Sequence, residues 1–370
     1  MMSQQVTVVG AGVIGLAVAW RAAAAGHRVT VVDPAPGRGA SWVAGGMLAP
    51  VTEAWPGEET VLTLGERSLR RWPSFARELA VDAFEPGLSE AGTVVAARDA
   101  ADAEQLTILA DYLHRIGRSV EVANGRRLRS LVPGLASAMR AGIVVPGDLA
   151  VDNRQLLDAL QAGCTRHGVR FMRESAREVA PKQVVTDSGE YDSDAVVLAA
   201  GARSALLHPE LREAVRPLKG EILRLRARKG CLPPPAVTVR AIVEGRPLYL
   251  VPRVDGELVV GATQYESGYD EAVKAGGVRE LLDYAEQVYP SVSEYELAET
   301  TAGLRAASMD NLPLIGRLSD GVIVATGHYR NGLLHAPVTA DAVLAVLADE
   351  ELPDDVAAAS PARDRKEERV

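Results

Sequence analysis

Val6-Thr7-Val8-Val9-Gly10-Ala11-Gly12-Val13-Ile14-Gly15-Leu16-Ala17-Val18-Ala19-Trp20 runs from an apolar segment through three spaced glycines into an Ala-rich segment. The first segment reads as a strand ending at Gly10. The last reads as a helix to about Ala25. A second β-like run, Arg28 to Val32, ends on Asp33. Strand, G-x-G-x-x-G turn, helix, strand and acid follow the order of a dinucleotide-binding unit. Gly10 lets the chain turn off the strand, Gly12 lets a pyrophosphate approach the backbone, and Gly15 lets helix and strand pack closely. The phosphates then face free N–H groups at the positive end of the helix dipole. Asp33 is placed to accept hydrogen bonds from a ribose hydroxyl. The competing reading is a tight strand-to-helix turn that binds nothing.

The chain around this unit is 370 residues long, enough for two compact units. Its net charge of −9 argues against nucleic acid or an anionic membrane as the main partner. Cys164 and Cys231 are too few for a disulfide framework and lack C-x-x-C spacing, so neither a metal site nor a redox pair is expected. A reducing cytoplasm fits. No segment approaches the roughly 18 apolar residues of a membrane helix. The N-terminal apolar run lacks the basic flank of a signal peptide. Residues 353–370 turn Ala-rich and then charged, and read as a flexible tail.

After Asp33, Pro34-Ala35-Pro36-Gly37-Arg38-Gly39 is a loop. It leads to Ala40, Ser41, Trp42 and then Gly45-Gly46-Met47, where bare backbone can lie against a flat ligand and Ser41 can donate to a phosphate. Thr60 to Leu79 is an amphipathic helix that Pro73 should break or kink. A strand (Thr93 to Ala97), a helix (Ala101 to Ile116) and a strand (Ala141 to Val145) follow, then a helix from Asp152-Asn153 to Arg166. A hairpin surrounds Asp187-Ser188-Gly189. Asp194 to Gly201 is a buried parallel strand ending on Gly201, expected beside the first strand. Lys219 to Leu225, Val237 to Val243, Pro247 to Val251 and Gly256 to Ala262 suggest an antiparallel sheet. Gly321 to Ala325 breaks into Thr326-Gly327-His328-Tyr329-Arg330-Asn331-Gly332, and a helix follows from Leu333. This second strand, glycine turn and helix N-terminus can face another electron-rich group. His27, His114, His167 and His208 read as surface or loop residues without a role.

Ala44-Gly45-Gly46-Met47-Leu48-Ala49-Pro50, Ala302-Gly303-Leu304-Arg305, Gly327 to Leu334, and Tyr249-Leu250-Val251-Pro252-Arg253 followed by Leu258 to Thr263 carry a resemblance. Together with the N-terminal glycines, they resemble the FAD-dependent amine and amino-acid oxidases of the D-amino-acid oxidase superfamily, in particular the glycine oxidases of thiamine biosynthesis. The resemblance runs from about Val6 to Leu347. It implies an α/β fold: a Rossmann-like FAD-binding domain (1–85, 147–215 and 305–352) interleaved with an α+β substrate domain built on an antiparallel sheet (86–146 and 216–304).

It further implies FAD along Gly10, Gly12, Val13, Ile14, Gly15, Asp33, Pro34, Ala40, Ser41, Gly45, Gly46, Met47, Ala176, Gly201 and His328 to Leu334 (Tyr329, Arg330, Asn331, Gly332, Leu333). Arg305 matches the family's main carboxylate-binding arginine, Arg330 a second one, and Tyr249 a tyrosine that hydrogen-bonds the bound acid. These three carry the catalytic assignment, with Met47 and Gln264 beside the substrate. Gln264 stands where a relative can carry methionine, a departure that bears on substrate preference. No cysteine lies near Gly303-Leu304-Arg305, so the FAD is expected to be non-covalent.

The implied reaction is oxidative deamination of glycine to the imine, then glyoxylate and ammonia, with dioxygen reduced to hydrogen peroxide. The implied partners are a small amino acid and dioxygen, a homo-oligomeric copy, and a thiazole synthase to receive the imine. Sarcosine, a small D-amino acid or a proline-like ring is the near alternative as substrate. A nicotinamide-dependent dehydrogenase and a nucleotide-binding scaffold without turnover are the alternatives of other classes.

Overall fold

A computed structural model of the chain describes residues 3–363. Two sheets organise it. The first has six strands in the order Leu314–Arg317, Ile323–Thr326, Ala195–Leu198, Gln5–Val9, Arg28–Val32 and Arg170–Met172. All pairs are parallel except the edge pair of Leu314–Arg317 with Ile323–Thr326. The chain moves outward in both directions from Gln5–Val9, so the strand order reverses at Gly10. An open parallel sheet places its binding crevice at that reversal.

The helix Val13–Ala24 is buried on nearly every side. The helices Asn153–Arg166 and Gly332–Leu347 pack against it. Val13–Ala24 and Gly332–Leu347 are apolar nearly all round, while Asn153–Arg166 is amphipathic and buries one face. Gly15 is required for this contact. A Cβ there would stand 1.9 Å from the Gly10 carbonyl oxygen.

Pro73 does not break its helix, which runs from Glu59 to Asp82. Tertiary contacts outweigh the local penalty. Trp72 and Phe75 are fully buried, and Ser68 and Trp72 both donate to the Leu334 carbonyl at 2.6 and 2.9 Å.

The second sheet has eight strands in the order Glu296–Ala307, Arg216–Arg226, Glu257–Gly261, Arg246–Pro252, Thr238–Val243, Thr93–Ala97, Ala141–Val145 and Glu121–Asn124. It is antiparallel except where Thr238–Val243 meets Thr93–Ala97 in parallel. The helix Ala275–Val288 covers part of one face. The strands of this sheet fall between 93 and 307, and that same span also contains Arg170–Met172 and Ala195–Leu198 of the six-stranded sheet. The two units are therefore interleaved.

Three expectations change. A boundary between 304 and 305 would cut the strand Glu296–Ala307. The start of the expected tail is packed: Asp354–Ala357 is helical and Val356 and Ala359 are buried, because they close the apolar end of the first core. Residues 364–370 of that tail lie outside the described residues. Lastly, His27 and His208 are buried, not superficial. Nδ1 of His208 accepts the Glu210 N–H at 3.3 Å and Nε2 lies 3.0 Å from Asp320. One ring nitrogen is thus used in capping and the other against Asp320, although His208, Glu210 and Asp320 stand close enough to share a cation.

Candidate active site

One cleft of about 790 Å³ runs from the Gly10 turn to the exposed face of the eight-stranded sheet. Its size suits a cofactor together with a small ligand. Gly10 has φ +104°, and a Cβ there would meet the Ala199 carbonyl oxygen at 2.4 Å. Only glycine fits both conditions. The Ser41 hydroxyl accepts the Val13 N–H at 3.0 Å and lines the cleft, with its own hydrogen still able to donate. Asp33 accepts the Ala11 N–H and the Ala35 N–H, each at 2.7 Å, one on each oxygen. The carboxylate that was expected to serve a ribose first fixes its own turn. Each oxygen retains a lone pair toward the cleft.

The segment from Ser41 to Gly46 is held from behind by a buried polar network. Asn153 donates to the carbonyls of Ser41 and Trp42, both at 2.8 Å. Arg253 donates to the Gly45 carbonyl at 2.8 Å and to Asn153 at 3.1 Å. Arg224 donates to the same Asn153 oxygen at 3.0 Å. Asn153 read only as a helix start in the sequence. Its second role arises because the strand Arg246–Pro252 brings Arg253 beneath the loop.

Most of the expected cofactor residues line the cleft: Gly10, Gly12, Val13, Ile14, Asp33, Pro34, Ala40, Ser41, Gly45, Gly46, Met47, Ala176, Gly201, His328, Tyr329, Arg330, Gly332 and Leu333. Gly15, Asn331 and Leu334 do not. Gly15 is a packing residue, as described above. Asn331 and Leu334 face a small pocket against Val61 and Leu62, because successive helical residues point to different sides. The glycine-rich cradle, the helix start at Gly332 and the donors along the cleft fit an FAD.

His328 is buried, with Nε2 3.0 Å from the Thr339 hydroxyl. Burial, and then the neighbouring His335, push its imidazole well below the usual range, so it is neutral at pH 7.

The substrate end is assembled from facing strands. Arg305 lies over Gly220, where a Cβ would come within 2.2 Å of its guanidinium. Its Nη1 donates to the Thr263 carbonyl at 3.3 Å. Among the described residues it has no carboxylate partner. Tyr249 lies over Gly261 and Gly45, where added Cβ atoms would stand 2.2 and 2.7 Å from its side chain. Burial raises its phenol pKa while the charge of Arg305 lowers it, and the net shift is upward. The phenol is therefore a neutral donor.

Arg330, expected from the resemblance as a second arginine at the site, is already paired within the protein. It donates to the Glu53 carbonyl at 3.0 Å and to Glu58 at 3.1 Å, and its Nε lies 3.5 Å from the Glu53 carboxylate. Its charge is already met. Gln264 accepts the Tyr329 hydroxyl at 2.8 Å, and Met47 is half-buried on the cleft wall.

Sequence reading missed Glu53, Arg240 and Gly220. Arg240 stands directly opposite Tyr249 in the strand register. No local pattern marks any of the three as site residues.

Known proteins give the same picture. A glycine oxidase from Geobacillus kaustophilus is 31% identical over 365 residues, covering 95% of each chain. A crystal structure of glycine oxidase from that organism matches 98% of this chain and 99% of its own, with a TM-score of 0.88 and 30% identity. A putative thiamine biosynthesis oxidoreductase ThiO from Rhizobium etli is 34% identical over 352 residues, covering 94% of this chain and 97% of its own. A bifunctional protein ThiO/ThiG from Synechocystis is 30% identical over 372 residues, 98% of this chain but 54% of its own length. The family model described as FAD dependent oxidoreductase matches residues 5–345. The chain therefore belongs to this family (DAO) of FAD dependent oxidoreductases.

Proposed function

We propose that this protein oxidises glycine, and that Arg305 holds the substrate carboxylate. One observation carries the reading: Arg305 is a half-buried guanidinium on the cleft with no carboxylate partner among the described residues. A fork of N–H donors left unpaired at a cleft wall suits a carboxylate. Tyr249, a neutral phenol on the same sheet face, donates to the same acid. Holding the acid at one end fixes the amine-bearing carbon at the other, and most of the rate gain is positioning. FAD, when bound, supplies the electron acceptor that turns the amine into an imine and passes the electrons to dioxygen as hydrogen peroxide.

In this reading Gly10, Gly12, Val13, Ile14 and Ser41 hold the pyrophosphate. Asp33, Pro34 and Ala176 face the ribose and adenine. Gly45, Gly46, Met47, His328, Tyr329, Gly332 and Leu333 seat the flavin, with the N-terminus of the helix Gly332–Leu347 favouring negative charge there. Arg330 and Gln264 shape the wall of the substrate pocket. The FAD-binding domain comprises 1–85, 147–215 and 308–352, and the substrate domain 86–146 and 216–307. Dioxygen is the oxidant. The ThiO and ThiO/ThiG relatives support hand-off of the product to a thiazole-forming partner. A homo-oligomer in the cytoplasm completes the reading. No helix among the described residues is long and apolar enough to cross a membrane.

The absorption spectrum before and after anaerobic glycine tests this. Flavin bands are expected on purification, bleached by glycine and restored by air with release of peroxide. A colourless protein, or bands that glycine leaves unchanged, would sink the proposal.

A further inference from the structure

At the end of the cleft that carries Tyr249, three arginines line the wall: Arg240, Arg305 and Arg330. Arg240 and Arg330 share one acid. Nη1 of Arg240 lies 3.1 Å from Oε1 of Glu53, and Nε of Arg330 lies 3.5 Å from Oε2. Glu58, outside the cleft, takes the other edge of Arg330 at 3.1 Å. Three guanidinium charges against two carboxylates leave a single positive charge, and it sits at Arg305.

A third acid stands behind Arg240. Asp148 is fully buried and accepts the Thr52 hydroxyl at 2.9 Å, while Arg240 donates to the same hydroxyl at 3.3 Å. Burial pushes Asp148 up to about 7, so whatever charge it keeps falls on the Arg240 side. Nothing positive is left over on that wall.

We propose that Glu53 is a specificity-determining residue: by neutralising Arg240 and Arg330, it lets the cleft accept an amine that bears one carboxylate and reject an amine that bears two. The inference rests on the assignment of Arg305 as the carboxylate anchor. A second carboxylate would meet Glu53 at short range in a poorly solvated wall, where like charges repel strongly. It could gain a guanidinium only by displacing Glu53 from both of its partners. A repulsive group of this kind discriminates substrates as effectively as an attractive one.

The test compares sarcosine with iminodiacetate (N-carboxymethylglycine) in a peroxide assay on the FAD-loaded enzyme. The wild type is expected to favour sarcosine. In Glu53→Gln the ratio of kcat/KM values, iminodiacetate over sarcosine, should rise about ten-fold or more. In Arg240→Gln it should fall, because Glu53 is then less neutralised. A readout without turnover is the dissociation constant of malonate against that of acetate, followed by perturbation of the flavin absorption. Malonate should gain on acetate in Glu53→Gln.

An unmoved ratio in both assays overturns the inference. So does a wild type that uses iminodiacetate as well as sarcosine. If Glu53→Gln does not fold, the opposite shift in Arg240→Gln carries the test. A wild type that responds to neither glycine nor acetate breaks the Arg305 assignment itself, whereas normal glycine turnover with an unmoved ratio breaks only the role of Glu53.

Discussion

Glycine does opposite work at the two ends of the cleft. At the Gly10 turn, the missing side chains let backbone approach backbone and leave room for a ligand. At the sheet face, Gly220 and Gly261 make room for the protein's own Arg305 and Tyr249. The first use is local, since Gly10, Gly12 and Gly15 lie within one turn and one helix start. The second is non-local. Gly220 makes room for a side chain from a strand that begins at Glu296, and Gly261 for one from the strand Arg246–Pro252. A glycine motif can therefore be read from spacing, while Gly220, which makes room for a side chain from a distant strand, has no local signature of that role.

Substitutions at the two ends should separate cofactor binding from substrate binding. Gly10→Val is expected to have the largest effect. It imposes φ +104° on a β-branched residue and drives Cβ into the Ala199 carbonyl. FAD affinity should fall by roughly 100-fold or more, given ~3 kcal/mol of strain, and the protein should purify without flavin bands. Normal flavin content would break the contrast between the ends.

Arg305→Ala should do the converse. The flavin spectrum should stay, and KM for glycine should rise on the order of 100-fold, the scale of a charge-assisted pair worth about 2–3 kcal/mol. An unchanged KM would remove Arg305 from its role.

The packing behind the cofactor end predicts an acid limit on stability. His335 is fully buried, neither ring nitrogen has a partner, and burial lowers its pKa to about 3. The unfolded chain, with an imidazole near 6.5, binds this proton more readily than the folded one. Stability from this group is therefore complete above about pH 6.5 and declines as pH falls toward 3. By pH 5 the loss should be about 2 kcal/mol. Chemical denaturation of wild type and His335→Leu across pH 5–8 checks it. Equal pH slopes would refute the assignment.

Gly220→Ala should have the smallest effect, and it is the sharpest probe of the second use of glycine. The added Cβ displaces Arg305, so KM for glycine should rise roughly ten-fold with FAD affinity intact. An unmoved KM would show that Arg305 has room to spare.

Much of the first sheet was legible because its signals are contiguous. The strand Gln5–Val9, its glycine turn, the helix Val13–Ala24 and Asp33 occupy one short stretch, and their pairing follows from the right-handed crossover rule. Six strands of the second sheet were legible individually, but not Glu121–Asn124 or Glu296–Ala307, nor the strand order or its one parallel pair. Pro73 was misread because propensity is local and the burial of Trp72 and Phe75 is not. Arg330 was found by its motif, but its ion pairs were not, because Glu53 and Glu58 lie far from it in sequence and only folding brings their charges to it.

The sequence by itself determined the strand, glycine turn and helix around Gly10 and a second glycine turn that opens a helix near Gly332, while only the family resemblance set Arg305 beside Tyr249. Backbone geometry and helical period depend on near neighbours, so residue spacing encodes them. Only the tertiary structure decided which arginine is left with a charge to offer. That depends on strand register and on which carboxylates come within a few ångströms, and both are set by contacts between residues distant in the chain.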